Sequence, residues 1–414
     1  MTTSSIAVSS VAELVRAVQD TGIRQITVNE LTDVPMLRLS PGQVLLGQDD
    51  DAALIFAAGS DGLQLTTDNE VHGLHLATSP ERRAIHNDTQ VESLGRLVLG
   101  DVTTIGQVQI LARDKVRSGH VEVSGLDVIS ADARASTDRP QGFGVHVLQG
   151  AFTLWNMQVD PQVVISARLV GLSAGRPAAP VLGSGIFVSG AGFEGGRLAV
   201  SLLETGEIHS DGRIAPGTPD MITGGVFTVF NAFVDTVRNR GPVVTYGQND
   251  MVLDNWGSVD HWVAEEKITS YGPSGIGFVN FGIVNELEVE APIETFGQGA
   301  RGFNVYAGTV NRAVFDRITT HADGAVGIQI SQPIGYLGVH RGIETFGGTG
   351  DSLVKGVLLK LSAIALSVKP GGSARQIEIE GGVTSHGDGV APLEMLGVVG
   401  QLSIEGGISA KQGH

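Results

Sequence analysis

A short pattern recurs every 25 residues through the C-terminal half of this 414-residue chain. Each copy is typically apolar, polar, Ser or Thr, a ring, then Gly or Ala, as in ITSYG at 268–272. The copies begin at Val243, Ile268, Ile293, Ile318, Ile343, Val383 and, in truncated form, Ile408. A fixed period of this length predicts a solenoid. We interpret the one spacing of 40 as a turn that carries an insertion of fifteen residues.

The pattern inside each copy has a period of two, which is typical of a β-strand. A second strand of the form Gly-apolar-any-apolar follows, as in GFNV at 302–305. The same form at 144–147, 185–188 and 225–228 is spaced by 40 or 41 residues, which predicts longer turns with inserted loops over 140–242. We expect three short strands per turn and a rise of about 4.8 Å from one turn to the next.

The N-terminus and the composition fit the same architecture. Ser10 and Glu13 form a capping box, and apolar residues follow at helical spacing, which predicts a capping helix over 10–20. Such a helix would cover the open first turn of a solenoid. Glycine is abundant (58 residues) and aromatic residues are scarce (5%), as tight turns between thin strands require. No linker divides the chain, so we predict one domain over 1–414, with regular turns over 243–414.

The N-terminal helix, the 25-residue turns and the Ile/Val-x-Thr/Ser strands together resemble the right-handed parallel β-helix superfamily, the pectate-lyase-like fold. The resemblance covers nearly the whole chain and implies an all-β protein, a single right-handed parallel β-helix. Members of this superfamily are mostly polysaccharide lyases, glycoside hydrolases, epimerases and fructan-cleaving transferases, and others are phage tailspikes and adhesins. The resemblance therefore specifies an architecture and leaves the function open.

Stacking places equivalent residues of successive turns above one another. The ring position forms a predicted ladder of Tyr246, Tyr271, Phe296, His321, Phe346 and His386. We expect Asn255 and Asn280 to point inward as an amide ladder, and the Thr or Ser of each copy to bond along the stack. The outward position of the second strand predicts a binding strip or a subunit interface, formed by His146, Phe187, Phe227, Asp254, Val279, Asn304, Gln329, Val354 and Glu394.

The stretch NDMVLDNWGSVDHW at 249–262 departs from the repeat and is the centre of the predicted site. Carboxylates and a histidine supply acid–base chemistry, and the catalytic candidates are Asp254, Asp250, Asp260, Asp235 and His209. Exposed aromatic faces beside carboxylates are how proteins commonly hold sugar rings. The predicted substrate-binding residues are Trp256, Trp262, Tyr246, Tyr271, Arg238, Asn304 and Gln329.

Two kinds of chemistry fit these residues. A glycosidase needs two carboxyl groups about 5 Å apart, or about 6.5–9.5 Å apart. Asp250 and Asp254 on one straight strand would be roughly 13 Å apart, so a working pair must cross turns. A lyase or epimerase needs a base and a cation, for which Arg238, Arg240 and Lys267 are candidates. We therefore predict a carbohydrate-active enzyme of the glycoside hydrolase, transferase or lyase type; the alternative is a non-enzymatic tailspike, adhesin or assembly scaffold.

The net charge and the lack of cysteine limit the classes of ligand and the kinds of chemistry that this chain can support. The net charge of −17 argues against nucleic acid, membrane or a polyanionic substrate and favours a neutral carbohydrate. Without cysteine there is no disulfide, thiolate metal site or cysteine nucleophile. We predict no cofactor, and leave a structural or catalytic calcium ion open. The N-terminus lacks a signal-peptide pattern, which predicts a cytoplasmic protein, or a secreted one had a signal been removed. Because the last strand needs cover, we expect a homo-oligomer, either a dimer or a trimer.

Overall fold

The computed structural model of the protein describes residues 4–354 and 357–410. These residues are nearly all β, in long parallel sheets with one helix, which is consistent with a parallel solenoid. The chain divides into two compact units. Unit 1 is Met1–Ser136, Gln149–Gly206 and Phe230–Phe233, and unit 2 is Thr137–Leu148, Glu207–Val229 and Val234–His414.

The predicted capping helix is confirmed as Val11–Gln19 in unit 1. The Ser10 side chain accepts a hydrogen bond from the Glu13 amide at 3.3 Å, which is the first half of the capping box. In the second half of a capping box the Glu13 carboxylate would accept from the Ser10 amide. Here it accepts from the Ser9 amide instead, at 2.9 Å. The helix buries Leu14, Ala17 and Val18 against the first strands of unit 1.

The strands of unit 1 form two sets of parallel neighbours. The first set comprises Ser5–Val8, Gln25–Val28, Leu31–Val34, Val44–Gly47, Ala53–Phe56, Glu70–Ala77, Ser93–Ile105, Ser118–Ser130 and Val164–Ala174. The second set comprises Leu37–Arg38, Leu63–Leu65, Arg83–Asn87, Gln107–Ala112, Gly150–Asn156 and Ser184–Ser189. Val181–Leu182 is a further short strand, and Arg197–Asp211 and Ala232–Asn239 each have residues in both units.

Unit 2 consists mainly of three stacks of parallel strands. Stack A comprises Val243–Thr245, Ile268–Ser270, Ile293–Thr295, Ile318–Thr320, Ile343–Thr345, Val383–Ser385 and Ile408–Ala410. Stack B comprises Met221–Thr228, Asp250–Asn255, Ile276–Asn280, Arg301–Val305, Val326–Ile330, Leu366–Val368 and Leu393–Met395. Stack C comprises Ser258–Ala264, Ile283–Val289, Thr309–Phe315, Pro333–Val339, Ser373–Ile379 and Val398–Ile404. The short strands Gln141–Gly142 and Val145–Val147 lie beside Met221–Thr228.

The predicted repeat is confirmed in stack A. Each strand begins at a residue that the pattern identified, and successive starting residues are paired, as Val243 is with Ile268 and Ile343 with Val383. The amide ladder is confirmed too: Asn255 donates to the Oδ1 of Asn280 at 2.8 Å, and Thr228 donates to Asn255 at 2.7 Å. A period of 25 residues therefore corresponds to one turn of unit 2.

The predicted ladder of rings is also present. Successive rings from Tyr246 to His386 are 4.3–5.5 Å apart between centroids and are inclined by 2–15°. His209 extends the ladder at 6.0 Å from Tyr246. Bonding along the Thr/Ser position is more limited than expected, because Thr345 and Ser385 bond at 2.9 Å whereas Thr320 donates to the Ala325 carbonyl. The close stacking means that each ring covers the faces of its neighbours.

The fifteen-residue insertion is an antiparallel hairpin of Thr349–Val354 and Val357–Ser362, which we call the strap. It precedes the strand Leu366–Val368, so the residue paired with Gln329 in the outward position is Ser367. The prediction that Val354 occupies this position is wrong. The strap precedes the stack B strand of its turn, Leu366–Val368, whereas the repeat pattern placed the insertion after that strand.

The outward strip is not an exposed surface. Phe187 in unit 1 and Phe227 in unit 2 were expected to be exposed, and both are wholly buried. In unit 2, Phe227 packs against Trp256 at 5.3 Å between ring centroids, and Phe143 packs on the same indole at 5.1 Å. His146 pairs with Met221 and so lies outside the row that contains Phe227. The residues near Phe143 therefore cover a face that the repeat alone would leave open.

Candidate functional site

Strand register brings three of the predicted site residues onto one row of stack B. Asp254 pairs with Val279, Val279 with Asn304, and Asn304 with Gln329. We call this the Asp254 row; its full membership is Phe227, Asp254, Val279, Asn304, Gln329, Ser367 and Glu394. Asp254 and Asn304 are wholly buried and Gln329 is nearly so. These three polar side chains are therefore enclosed within unit 2, with the apolar Val279 between Asp254 and Asn304.

Asp254 opens onto a cavity of about 50 Å³, the Asp254 cavity. Most of its wall is apolar. It is lined by Phe143, Val145, Pro219, Ile222, Asn249, Met251, Asp254, Ser274, Ile276, Val279, Phe281, Tyr306 and Leu353. The wall thus joins residues of stack B to the segment around Phe143 and to the strap.

Burial raises the pKa of the Asp254 carboxyl well above its usual range. The Trp256 indole and the Asn255 amide lower this pKa by less than burial raises it. They lie close to the carboxyl, but no described residue donates a hydrogen bond of ordinary geometry to either oxygen. Asp254 therefore keeps its proton at pH values where an exposed aspartate is ionised, and it can donate that proton to a group in the cavity.

The amides of Asn304 and Gln329 continue the row with unmet hydrogen-bonding capacity. Within residues 4–354 and 357–410, neither polar atom of the Asn304 amide has a partner. Gln329 donates to the Ser331 hydroxyl at 3.2 Å, while its Oε1 has no partner in that same part of the chain. An unsatisfied buried polar group costs about 1–3 kcal/mol, so groups of this kind need an explanation. Neither amide is in the wall of the Asp254 cavity, to which this row contributes Asp254 and Val279.

Arg301 ties the strap to stack B and was not predicted from the sequence. Its guanidinium is wholly buried, donates to the Ser352 hydroxyl at 2.9 Å and the Leu353 carbonyl at 3.4 Å, and lies over the Tyr306 ring at 5.8 Å. The sequence contained a signal, because the paired positions in the neighbouring turns are apolar, Ile276 and Val326. A cation at an apolar repeat position indicates that something polar lies against it.

Asp250 is also wholly buried, but it has a different role in the structure. It accepts hydrogen bonds from the Thr223 hydroxyl at 2.6 Å, the Gly247 amide at 2.7 Å and the Gly212 amide at 3.1 Å. Burial raises its pKa to about 7, against the effect of these three bonds. Asp250 thus joins three segments of unit 2 and does not line the Asp254 cavity.

The other two carboxylates predicted to be catalytic are exposed. Asp260 lies in stack C and accepts a hydrogen bond from the Asn285 side chain at 3.1 Å. Asp235 is exposed on the strand Ala232–Asn239. The residues that flank Asp254 one turn away in its row are Phe227 and Val279, so the row does not supply a carboxylate pair.

The predicted aromatic residues separate into three environments. Trp256 is buried and meets the Phe281 ring edge-on at 5.7 Å between centroids, beside Asp254. Trp262 is wholly buried in the core, where its indole N–H donates to the Asn239 amide oxygen at 2.9 Å. Tyr246 and Tyr271 belong to the ring ladder, so their ring edges rather than their faces meet solvent.

The two remaining candidates have protein partners away from the cavity. His209 is nearly buried and bonds the Tyr246 hydroxyl at 2.8 Å and the Glu207 carboxylate at 2.6 Å. Arg238 pairs with Glu265 at 3.5 Å. The structure therefore places Asp254, Asn304 and Gln329 in one row, with Trp256 beside Asp254. The other candidates lie elsewhere.

Neither a metal centre nor a known relative identifies the site. Over residues 4–354 and 357–410, the His, Asp and Glu side chains form no group of three or more that could hold a metal ion. Over the same residues, the chain contains no helix with the length and apolar character needed to cross a membrane. Comparison with family models, with curated proteins and with solved structures finds no match to this chain.

Proposed function

We propose that unit 2 is a carbohydrate-active enzyme in which Asp254 acts as a proton donor to a neutral sugar. The observation that carries this proposal is the buried Asp254 carboxyl in the wall of a mostly apolar cavity, in one row with the amides of Asn304 and Gln329, which retain unmet hydrogen-bonding capacity. We also propose that the parallel strands close into a right-handed β-helix, the architecture that the 25-residue turns resemble.

The chemistry of the row fits a polyhydroxyl ligand. A sugar hydroxyl both donates and accepts hydrogen bonds, and so complements a protonated carboxyl and a primary amide equally well. The cavity adds aromatic wall from Phe143, Phe281 and Tyr306, which suits the apolar face of a sugar ring. Since the chain carries a net charge of −17, a neutral sugar is favoured over an acidic one.

General-acid catalysis is the step that this geometry supports. A protonated Asp254 can donate to the oxygen of a breaking bond, an effect worth about 10²–10⁴ in rate. The cavity of about 50 Å³ is roughly a third of the 150 Å³ that holds a benzene molecule. It therefore accommodates only the reacting part of a sugar, and the remainder of the substrate must lie outside it.

The test is turnover of neutral oligosaccharides by the full chain, with products detected by mass spectrometry. Asp254→Asn keeps the size of the side chain and removes the acidic proton, so we expect turnover to fall by about 100-fold or more. Asp260→Asn, the same change at an exposed position, is the matched control and should leave turnover unaltered. Equal turnover by wild type and Asp254→Asn would refute the role of Asp254.

A second candidate function is binding of the same sugar without turnover. It is favoured by the Asp254 row, in which Phe227 and Val279, and not carboxylates, occupy the neighbouring turns. Saturation-transfer NMR with the same oligosaccharides separates the two functions. Binding that Asp254→Asn weakens, with no product formed by the wild type, would support the non-enzymatic alternative.

A further inference from the structure

A groove of about 240 Å³ adjoins the Asp254 cavity. The two share the wall residues Pro219, Asn249, Ser274 and Leu353, and the groove continues outward to Gln248 and Gln298. We propose that this groove, the Gln298 groove, is a second binding subsite that holds the next unit of the carbohydrate whose reacting unit meets Asp254. This inference rests on the proposed function and extends it, because it requires a substrate of at least two units.

Backbone conformation at the junction of the cavity and the groove supports the subsite. Asn249 and Ser274 have φ values of 58° and 57°, in the left-handed region that disfavours side chains. The same position of other turns is glycine, at Gly299, Gly324 and Gly389, with φ values of 67–70°. Among the described copies of this position, Asn249 and Ser274 place a side chain where glycine is otherwise found in the left-handed conformation, and both of these side chains line the cavity and the groove. Strain of this kind is typical of functional sites.

The Asn249 side chain offers a ligand an unused acceptor. It is wholly buried, and its Nδ2 makes only long hydrogen bonds to the carbonyls of Met221 and Thr218, at 3.3 and 3.4 Å. Its Oδ1 has no partner in the part of the chain that the structure describes. A hydroxyl group at the boundary between two sugar units could donate to this oxygen.

The wall of the groove favours an uncharged ligand. Among the described residues of its wall, the one ionic side chain is Asp351, which is paired within the strap with Lys360 at 2.8 Å. Gln248 and Gln298 supply neutral donors and acceptors, while apolar wall comes from the strap and from the prolines beside the two glutamines. Amides facing apolar surface are suited to a neutral polyhydroxyl unit, which has hydroxyl edges and a C–H face.

The test compares sugars of different length. A panel of neutral hexose monosaccharides and their di- to tetrasaccharides is titrated into the full chain, and the dissociation constants are measured by calorimetry or NMR. We expect the wild type to bind the best disaccharide at least about tenfold more tightly than its monosaccharide, the effect of one or two added hydrogen bonds. Asn249→Gly should remove most of this gain, and Gln298→Ala, which changes the groove and not the wall of the Asp254 cavity, should reduce the gain and leave monosaccharide binding unchanged.

The variants are chosen so that loss of folding does not confuse the result. Glycine is the residue that other turns carry at this position, so Asn249→Gly should fold, as thermal unfolding will verify. Gln298→Ala removes a second polar group of the groove, and Gln401→Ala, on the exposed strand Val398–Ile404, is its matched control. Gln298→Ala should reduce the disaccharide gain and Gln401→Ala should preserve it.

The outcomes separate this inference from the proposed function. If monosaccharide and disaccharide bind equally, or if Asn249→Gly and Gln298→Ala retain the full gain, the subsite is overturned and the role of Asp254 stands. If no sugar of the panel binds, both proposals fall. A length-dependent gain that depends on Asn249 and survives in Asp254→Asn supports the subsite independently of catalysis.

Discussion

Replacing Asp250 by asparagine should change how the stability of unit 2 depends on pH. One Asp250 oxygen accepts from the Gly212 and Gly247 amides, and the other accepts from the Thr223 hydroxyl. Asparagine fits this arrangement, because its oxygen can accept from the two amides while its NH₂ donates to the Thr223 hydroxyl, which can turn to accept. The substitution therefore removes the titrating proton without stranding a buried donor.

The magnitude follows from the shift in the Asp250 pKa. Burial raises this pKa from 3.8 to about 7 in the folded chain. Between these two values the unfolded chain has released a proton that the folded chain keeps, so the free energy of unfolding falls as pH rises. Three pH units at about 1.4 kcal/mol each correspond to a loss of about 4 kcal/mol between pH 4 and pH 7. Asp250→Asn has no titrating carboxyl at this position, so its free energy of unfolding should not show this fall.

The assay is urea unfolding followed by tryptophan fluorescence at half-unit steps from pH 4 to pH 8. The quantity compared is the free energy of unfolding of Asp250→Asn minus that of the wild type, which cancels the titration of all other groups. We expect this difference to rise by about 4 kcal/mol across the window and then level off. Asp260→Asn controls for the loss of an acidic side chain. A flat difference for Asp250→Asn would refute the assignment of a raised pKa to this buried carboxyl.

Two further predictions concern other buried groups. Burial, assisted by Arg83, lowers the pKa of His86 from 6.5 to about 4, so the unfolded chain takes up a proton that the folded chain does not. The free energy of unfolding of the wild type relative to His86→Gln should fall by about 3 kcal/mol as pH drops from 6.5 to 4, and denaturant unfolding that shows no such trend would contradict this. Arg301→Met should release the strap and speed tryptic cleavage after Lys360, whereas Arg312→Met should not; equal cleavage rates would count against the role of Arg301.

Much of the fold could be predicted from the sequence because, when successive turns stack, residues one repeat apart become paired neighbours in adjacent strands. A period of 25 residues places Ile268 beside Ile293 and Asn255 beside Asn280, and the structure confirms both pairs. The length of the strap also followed from the repeat. Its position did not, because an inserted segment carries no period, and Ser367 rather than Val354 continues the Asp254 row.

The candidate site was predictable only in part. The register identified Asp254, Asn304 and Gln329 as neighbours, but their burial depends on chain segments that lie outside the repeat. Phe143 lies more than 100 residues before Asp254, and no pattern in the sequence links the two. The prediction that this strip is exposed was therefore wrong, whereas the register correctly placed Asp254, Asn304 and Gln329 in one row.

Two signals in the sequence remained unused. Trp256 is followed at intervals of 25 residues by Phe281 and Tyr306, which form a second aromatic row: Trp256 meets Phe281 edge-on, and Phe281 stacks on Tyr306. Trp262 pairs with Leu287 in the next turn, at a position that is apolar throughout, which indicates a core residue. The equivalent of Trp262 one turn away is apolar, so the repeat itself assigns Trp262 to the core rather than to the candidate site.

The most direct test of the central claim is infrared spectroscopy of the Asp254 carboxyl during titration with neutral oligosaccharides. The wild-type spectrum minus that of Asp254→Asn isolates this one group, since a protonated carboxyl and a carboxylate absorb separately. We predict a protonated-carboxyl band at a pH where an exposed aspartate is ionised, and this band shifts when a sugar binds, as its proton engages a ligand oxygen. A carboxylate band at that pH, or a protonated band that no sugar of the panel alters, would contradict the proposed site.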